Sequence, residues 1–203
     1  MKSLGTILII LGFLVIVFIF GPVVKEELGY RFNQWSGVRY SLDVSPRFPQ
    51  SGIRPITPVD KEFAIVIPKI AVNAEIFPEI DPQNPQEFLP ILKKGVAHAK
   101  GSAYPDQEGN VFLFAHSTDA FYNVGRYNAV FFLIGKLEKG DEIDIFYKDK
   151  RYKYEVVEKA VVSSEALGQY VKEHTFGKTL TLQTCYPPGT TLKRLLVIAK
   201  EKL

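Results

Sequence analysis

Short apolar runs that end on proline or on a polar loop recur along most of this chain, and they leave few folds open. Residues 63–67 read FAIVI and stop at Pro68; residues 72–77 read VNAEIF and stop at Pro78; residues 111–115 read VFLFA and end on His116. Runs of this kind, bounded by breakers, read as strands. Residues 141–147 and 151–162 are rich in Ile, Val and Tyr and flank Lys148-Asp149-Lys150, which predicts a hairpin. In its second arm Tyr152, Tyr154 and Val156 share one face while Lys153 and Glu155 share the other, the period of two of a half-buried strand. Residues 178–184 and 192–200 complete the set, and helical patterns are confined to 85–93, 129–137 and 164–172. Many short strands with little helix predict an all-β domain closed, or nearly closed, into a barrel, which removes exposed strand edges.

The amino-terminal end is different. Residues 4–24, LGTILIILGFLVIVFIFGPVV, carry no charge over 21 positions. At 1.5 Å per residue such a run makes a helix roughly 31 Å long, about the hydrocarbon thickness of a bilayer. It is longer than the apolar stretch of a usual signal peptide and no A-x-A-like site follows it, so an uncleaved anchor at 1–24 is preferred to a cleaved signal. Flanking charge does not orient it: Lys2 lies on one side, and Lys25 and Arg31 lie among Glu26 and Glu27 on the other. Residues 25–60 carry Pro46, Pro49, Pro55 and Pro58 and predict a stalk, with Trp35 and Tyr40 either packing back on the domain or resting at the membrane interface. A globular domain then fills 61–203. The net charge of +3, with both signs interspersed, gives no reason to expect nucleic acid as a partner.

Chemistry concentrates at three strand ends. In TLTLQTC, Leu180 and Leu182 are expected to face the core, which turns Thr181, Gln183 and Cys185 the other way. A free cysteine is most often a small buried hydrophobe. Cys185 departs from that pattern, because it ends its strand beside Pro187-Pro188-Gly189, where a reactive group can be presented. Arg194 interrupts the aliphatic strand LKRLLVIA, a costly place for a guanidinium unless it is paired, covers the surface with its stem, or points into a polar cleft. If residues 186–191 connect two paired strands, Arg194 lies close to Cys185, where its fork can hold a carbonyl oxygen as charge develops. His116 ends VFLFA at a barrel rim, a position suited to a general acid or base. A thiol, an imidazole and a guanidinium together suggest acyl transfer through a thioester. One cysteine and three dispersed histidines lack metal-ligand spacing, and no glycine loop suited to phosphate is present.

These residues resemble a known family. Thr181-Leu182-Gln183-Thr184-Cys185 followed by Arg194 on the next strand looks like the signature of sortases, membrane-anchored cysteine transpeptidases of the bacterial surface. Upstream, GVAHAKGSAYPDQEGNVFLFAHS resembles the family's histidine block, with Gly95, His98, Gly101, Ser102, Pro105, Gly109, Asn110 and His116 in place. FFLIGKLEKGDEIDIFY resembles a short helix followed by the family's Lys-Gly-Asp strand start. The resemblance covers roughly residues 63–203 and is closest in look to classes D and E. It implies an eight-stranded β-barrel with short helices, preceded by one transmembrane helix whose amino terminus is cytoplasmic and whose catalytic domain is extracytoplasmic. It also implies catalytic roles for His116, Cys185 and Arg194, with His98, Thr184 and Ser117 as substrate-binding candidates and His98 either lining the groove or structural. The implied reaction cleaves a Leu-Pro-x-Thr-Gly-like sorting signal on a surface protein. The acyl group then passes from Cys185 to an amine on cell-wall precursor or another protein, with water as a possible side acceptor. No metal or other cofactor is expected. Ser117 stands where many relatives carry arginine, and His174 in KEHTFG reads as surface. The competing expectation is a non-catalytic, membrane-tethered barrel of the same shape that binds peptide or envelope polymer.

Overall fold

The computed structural model describes residues 2–42, 52–117 and 130–202. Pro46, Pro49, the loop that follows Ser117, Ala129 and Leu203 lie outside the described residues. The chain begins with α1 (Lys2–Trp35), followed by the short strands β1 (Arg39–Ser41) and β2 (Ile53–Pro55). Then come β3 (Phe63–Ile67), β4 (Val72–Ile80), α2 (Pro85–Leu92), β5 (Val96–Ala99) and β6 (Asn110–Phe114). A 3-10 turn at Phe132–Lys136 leads into β7 (Glu142–Tyr147) and β8 (Lys150–Val162). The chain finishes with α3 (Leu167–His174), β9 (Thr179–Tyr186) and β10 (Lys193–Glu201). Eight strands close into a barrel in the order β10-β8-β7-β3-β4-β5-β6-β9, so β9 and β10 complete the ring.

Alternation fills the barrel as expected for half-buried strands. Val111, Leu113, Leu180, Leu182, Leu195, Val197, Ile143, Ile145, Tyr154 and Val156 project into one core. The outer face of β4–β6 is covered by α2, whose Asn84 cap accepts a hydrogen bond from the Gln86 N–H and whose Phe88 meets Phe114 edge-on at 6.2 Å. Two strands differ from expectation. β4 runs through Pro78 to Ile80, because the register shifts between Phe77 and Ile80 and Glu79 adopts a positive φ of 57°. A bulge of this kind accommodates a residue without an N–H to donate. β5 was not expected as a strand at all: VAHA is short and buried on both faces, so it shows no alternation. Its parallel pairing with β4 needs Gly95, where a Cβ would lie 2.5 Å from the Glu75 carbonyl oxygen.

The stretch expected to stand off as a stalk starts as helix and lies against the barrel. Tyr30 packs on the core, and Lys136 bonds Glu27 at 2.9 Å. β1 and β2 pair in parallel, and Leu42 and Ile56 cover Ala64, Val66 and Phe146. Asn73 fixes the segment further by accepting from the Val59 N–H and donating to the Thr57 carbonyl. Trp35 is 84% exposed. Among the described residues no helix is long and apolar enough to cross a membrane.

One polar cluster sets the register on which the site depends. Asn110 Oδ1 accepts from Thr179 Oγ1 at 3.1 Å and from Thr181 Oγ1 at 3.0 Å, pinning the base of β6 to the base of β9. The two strands are parallel and run in step from Asn110↔Thr179 to Phe114↔Gln183.

Candidate active site

Two residues beyond the last β6–β9 pair, Phe114↔Gln183, stand His116 on one chain segment and Cys185 on the other. Two further bonds extend the pairing past the end of β6. The Ala115 N–H donates to the Gln183 carbonyl, and Thr184 Oγ1, buried, donates to the Ala115 carbonyl at 2.9 Å. On the other side Arg194 is the direct partner of Cys185 across β9 and β10. His116, Cys185 and Arg194 therefore form one lateral row over three neighbouring strand positions. All three alternate away from the core, since Ala115, Thr184 and Leu195 flank them on the inner side or are buried. Each of the three is half-buried, at the outer rim where the strands end.

Cys185 is a free thiol. Arg194 turns one nitrogen back to its own approach: Nη1 donates to the carbonyls of Thr191 at 3.0 Å and Lys193 at 3.2 Å. Those bonds occupy one terminal nitrogen of the guanidinium; Nε and Nη2 carry its other donors. The end of β8 adjoins it, with Val162 as its partner across β10. Just beyond, the Glu165 carboxyl is held below its usual range by its own backbone N–H, then by Ser163, with the charge of Arg194 adding to the effect. His116 is tied to the 3-10 turn by its carbonyl, which accepts from the Phe131 N–H at 3.2 Å. Lys159 secures that turn in its place by donating to the Gly135 and Leu137 carbonyls.

The other sequence candidates lie elsewhere or do other work. His98 is 0% exposed and faces the barrel interior from β5, paired with Leu113 and thus three residues below the level of His116. Its Nδ1 accepts from the Glu79 N–H at 3.4 Å, which places the proton on Nε2 for the Ala103 carbonyl at 3.0 Å, with Ser102 Oγ at 2.9 Å. The Ser102 hydroxyl proton is committed to the Ala99 carbonyl at 2.8 Å, so the pair is a satisfied packing unit and not a nucleophile with its base. Tyr104 and Phe63 close over the ring at 4.6 and 5.6 Å. His98 is thus walled off from the row that Cys185 occupies. Ser117, in the bend just after His116, is buried at 2% exposure. Thr184 is buried at 2% exposure, and its hydroxyl donates to the Ala115 carbonyl, joining the segments that carry His116 and Cys185. His174 is not a plain surface residue: it ends α3, lies 3.9 Å from the Tyr170 ring centroid and approaches Glu158, which also accepts from Tyr170. Among the described residues no three His, Cys, Asp or Glu side chains converge as metal ligands.

Residues 65–202 match the sequence model of the sortase domain. Sortase D of Bacillus subtilis is 32% identical over 138 residues, covering 66% of this chain and 61% of that protein, so the match spans less than two thirds of the relative's length. Among solved structures, sortase C-1 of Actinomyces oris is similar with a TM-score of 0.57 at 27% identity, covering 71% of this chain and 76% of the other. A Clostridium perfringens sortase D5 transpeptidase is similar with a TM-score of 0.53 at 27% identity, covering 73% and 82%. With the barrel order, the row of thiol, imidazole and guanidinium, and these likenesses in hand, the chain belongs to the sortase family.

Proposed function

We propose that this chain is a cysteine transpeptidase that cleaves a Leu-Pro-x-Thr-Gly-like sorting signal and passes the acyl group to an amine. The observation that carries the reading is the juxtaposition at one barrel rim of Cys185 and its cross-strand partner Arg194 with His116, two residues beyond the end of β6. In the first half-reaction the Cys185 thiolate adds to a backbone carbonyl, forming a C–S bond. Arg194, with a backbone N–H, stabilises the oxygen that becomes negative. His116 then delivers a proton to the departing amine as the C–N bond breaks, leaving a thioacyl enzyme. In the second half an acceptor amine adds to the thioester, surrenders a proton to His116 and expels the thiolate. Proton and thiolate are both restored, so the cycle balances without a cofactor.

The same reading places the protein on the outer side of a membrane, held by residues 4–24 with the amino terminus cytoplasmic. The charge-free run of 21 residues in the sequence supports that arrangement. Mass spectrometry of the protein incubated with a panel of sorting-signal peptides is the direct test. A thioacyl adduct on Cys185, released by an added amine, is the expected result. No adduct with any peptide of the panel would favour the non-catalytic barrel.

A further inference from the structure

The 3-10 turn at Phe132–Lys136 touches three parts of the molecule at once. At its start the Phe131 N–H donates to the His116 carbonyl at 3.2 Å. In its middle a Cβ at Gly135 would meet Leu195 Cδ2 at 3.4 Å, so the turn lies against the neighbour of Arg194. At its end it meets α1: Lys136 Nζ donates to Glu27 Oε1 at 2.9 Å and stands 5.8 Å from the Tyr30 ring centroid. Within residues 24–35 Glu27, Tyr30 and Asn33 are half-buried, and every other residue is exposed. Their spacing of three puts them on one stripe, so this part of α1 docks by a single face. The ion pair, with its lysine side chain 40% exposed, contributes little by itself. Tyr30, packed on the core, therefore supplies most of the hold.

We propose that Tyr30, with Glu27 beside it, is a positioning residue for His116: the docked face of α1 holds the 3-10 turn, and the turn holds the main chain that carries the imidazole. The role rests on the transpeptidase reading above. The Phe131–His116 bond steadies the histidine only as firmly as the turn itself is held. Burial of Phe131, Ile134 and Leu137 grips the turn from within, and Lys159 grips its Gly135 and Leu137 carbonyls from β8. The Lys136 end is held by α1, a helix that supplies no atom to the chemistry. Delivering a proton to a departing amine requires the imidazole within hydrogen-bond reach of one atom, so a small displacement costs rate. Attack of the thiolate on an activated ester makes no such demand.

The test uses the full chain and compares Cys185 acylation by a sorting-signal peptide with acylation by a matched activated ester. Tyr30→Ala is expected to lower kcat for the peptide roughly tenfold at unchanged KM, a fraction of what displacing a reacting group by about 1 Å can cost. The rate with the ester stays at the wild-type value, and Tyr30→Phe, which keeps the ring, restores the peptide rate. In a His116→Ala background Tyr30→Ala should cost nothing more on the peptide. Hydrogen exchange at the Phe131 amide should quicken in Tyr30→Ala while Leu182 on β9 exchanges as in the wild type. An unchanged kcat, equal losses on peptide and ester, fully multiplied losses in the His116→Ala background, or unaltered exchange at Phe131 would each overturn the assignment. Failure of the wild type to be acylated by any peptide of the panel is a separate result, which would remove the transpeptidase reading itself and this role with it.

Discussion

Two histidines, from the same stretch of sequence and on neighbouring strands, meet opposite fates. His98 points inward on β5 with both ring nitrogens engaged, under Phe63 and Tyr104. His116 sits one strand over, on the outer rim beside Cys185. Burial disfavours the charged imidazole of His98 and pushes its pKa down, outweighing the Ala103 carbonyl and the Glu79 carboxylate, which pull it up. The carboxylate lies 3.8 Å from Nδ1 but is itself largely exposed, so its pull is screened and the ring stays neutral. What separates the two histidines is thus not their sequence neighbourhood but where each sits on the barrel, His98 inside it and His116 at its rim. On β5 both ring nitrogens of His98 are matched within the fold, whereas at the rim Arg194 Nη1 is held by the Thr191 and Lys193 carbonyls.

The largest effect that would break this contrast is on the rim. An amide departs as a strongly basic amine and needs a proton as it leaves, whereas an activated ester does not. His116→Ala is expected to slow Cys185 acylation by a peptide by about 10²–10⁴-fold, the usual worth of general acid catalysis, and to spare most of the reaction with a matched activated ester. Stopped-flow or mass-spectrometric rates on both substrates measure it. Equal losses on the two would leave His116 as no more than a support for the thiol.

At the closed end the expected effect is on stability, and smaller. The folded-state pKa of His98 lies below its unfolded value of 6.5, so the folded protein binds that proton less readily. The contribution is therefore complete above about pH 6.5 and is lost as pH falls through the unfolded pKa toward the depressed folded one, by at most about 1.4 kcal/mol per pH unit. Glu79 and the Tyr104 hydroxyl are the titratable groups beside the ring; Tyr104 is pushed up by burial and stays neutral in this range. Urea unfolding between about pH 5 and 7 should show the slope in the wild type and a flatter one in His98→Gln. Identical slopes in the two proteins would mean that His98 keeps an ordinary pKa.

Much of this was legible in the chain because alternation and breakers are local. The runs at 63–67, 141–162 and 178–200 resolve as β3, the β7–β8 hairpin, β9 and β10 within a residue or two at most ends. Parity alone separated Leu180 and Leu182 from Gln183 and Cys185. Register was not legible, since no local pattern shows that Asn110 reaches two threonines about seventy residues away and so sets the pairing of the strands that lead to His116 and Cys185. For the same reason β5 went unseen, and His98 and Ser117 could be placed near the substrate only by resemblance. The helical start of 25–60 was hidden because prolines dominate the rest of that stretch, while Tyr30, Leu42 and Ile56 find their partners only in the closed barrel.

Ser117 marks the boundary between the two regions and gives the smallest and most discriminating change. It follows His116 directly, yet its hydroxyl is buried and has no hydrogen-bond partner among the described residues. An unsatisfied buried hydroxyl costs on the order of 1–3 kcal/mol, so removing it should help the fold. Ser117→Ala is expected to raise unfolding stability by about 1 kcal/mol, read as a higher urea midpoint at unchanged m-value. Peptide acylation of Cys185 should keep its KM, because the hydroxyl does not reach the outer face. If instead KM rose at constant stability, Ser117 would belong with the rim and contact the peptide. If stability fell, the hydroxyl would have a partner in solution, and the closed end would extend one residue further toward the catalytic row.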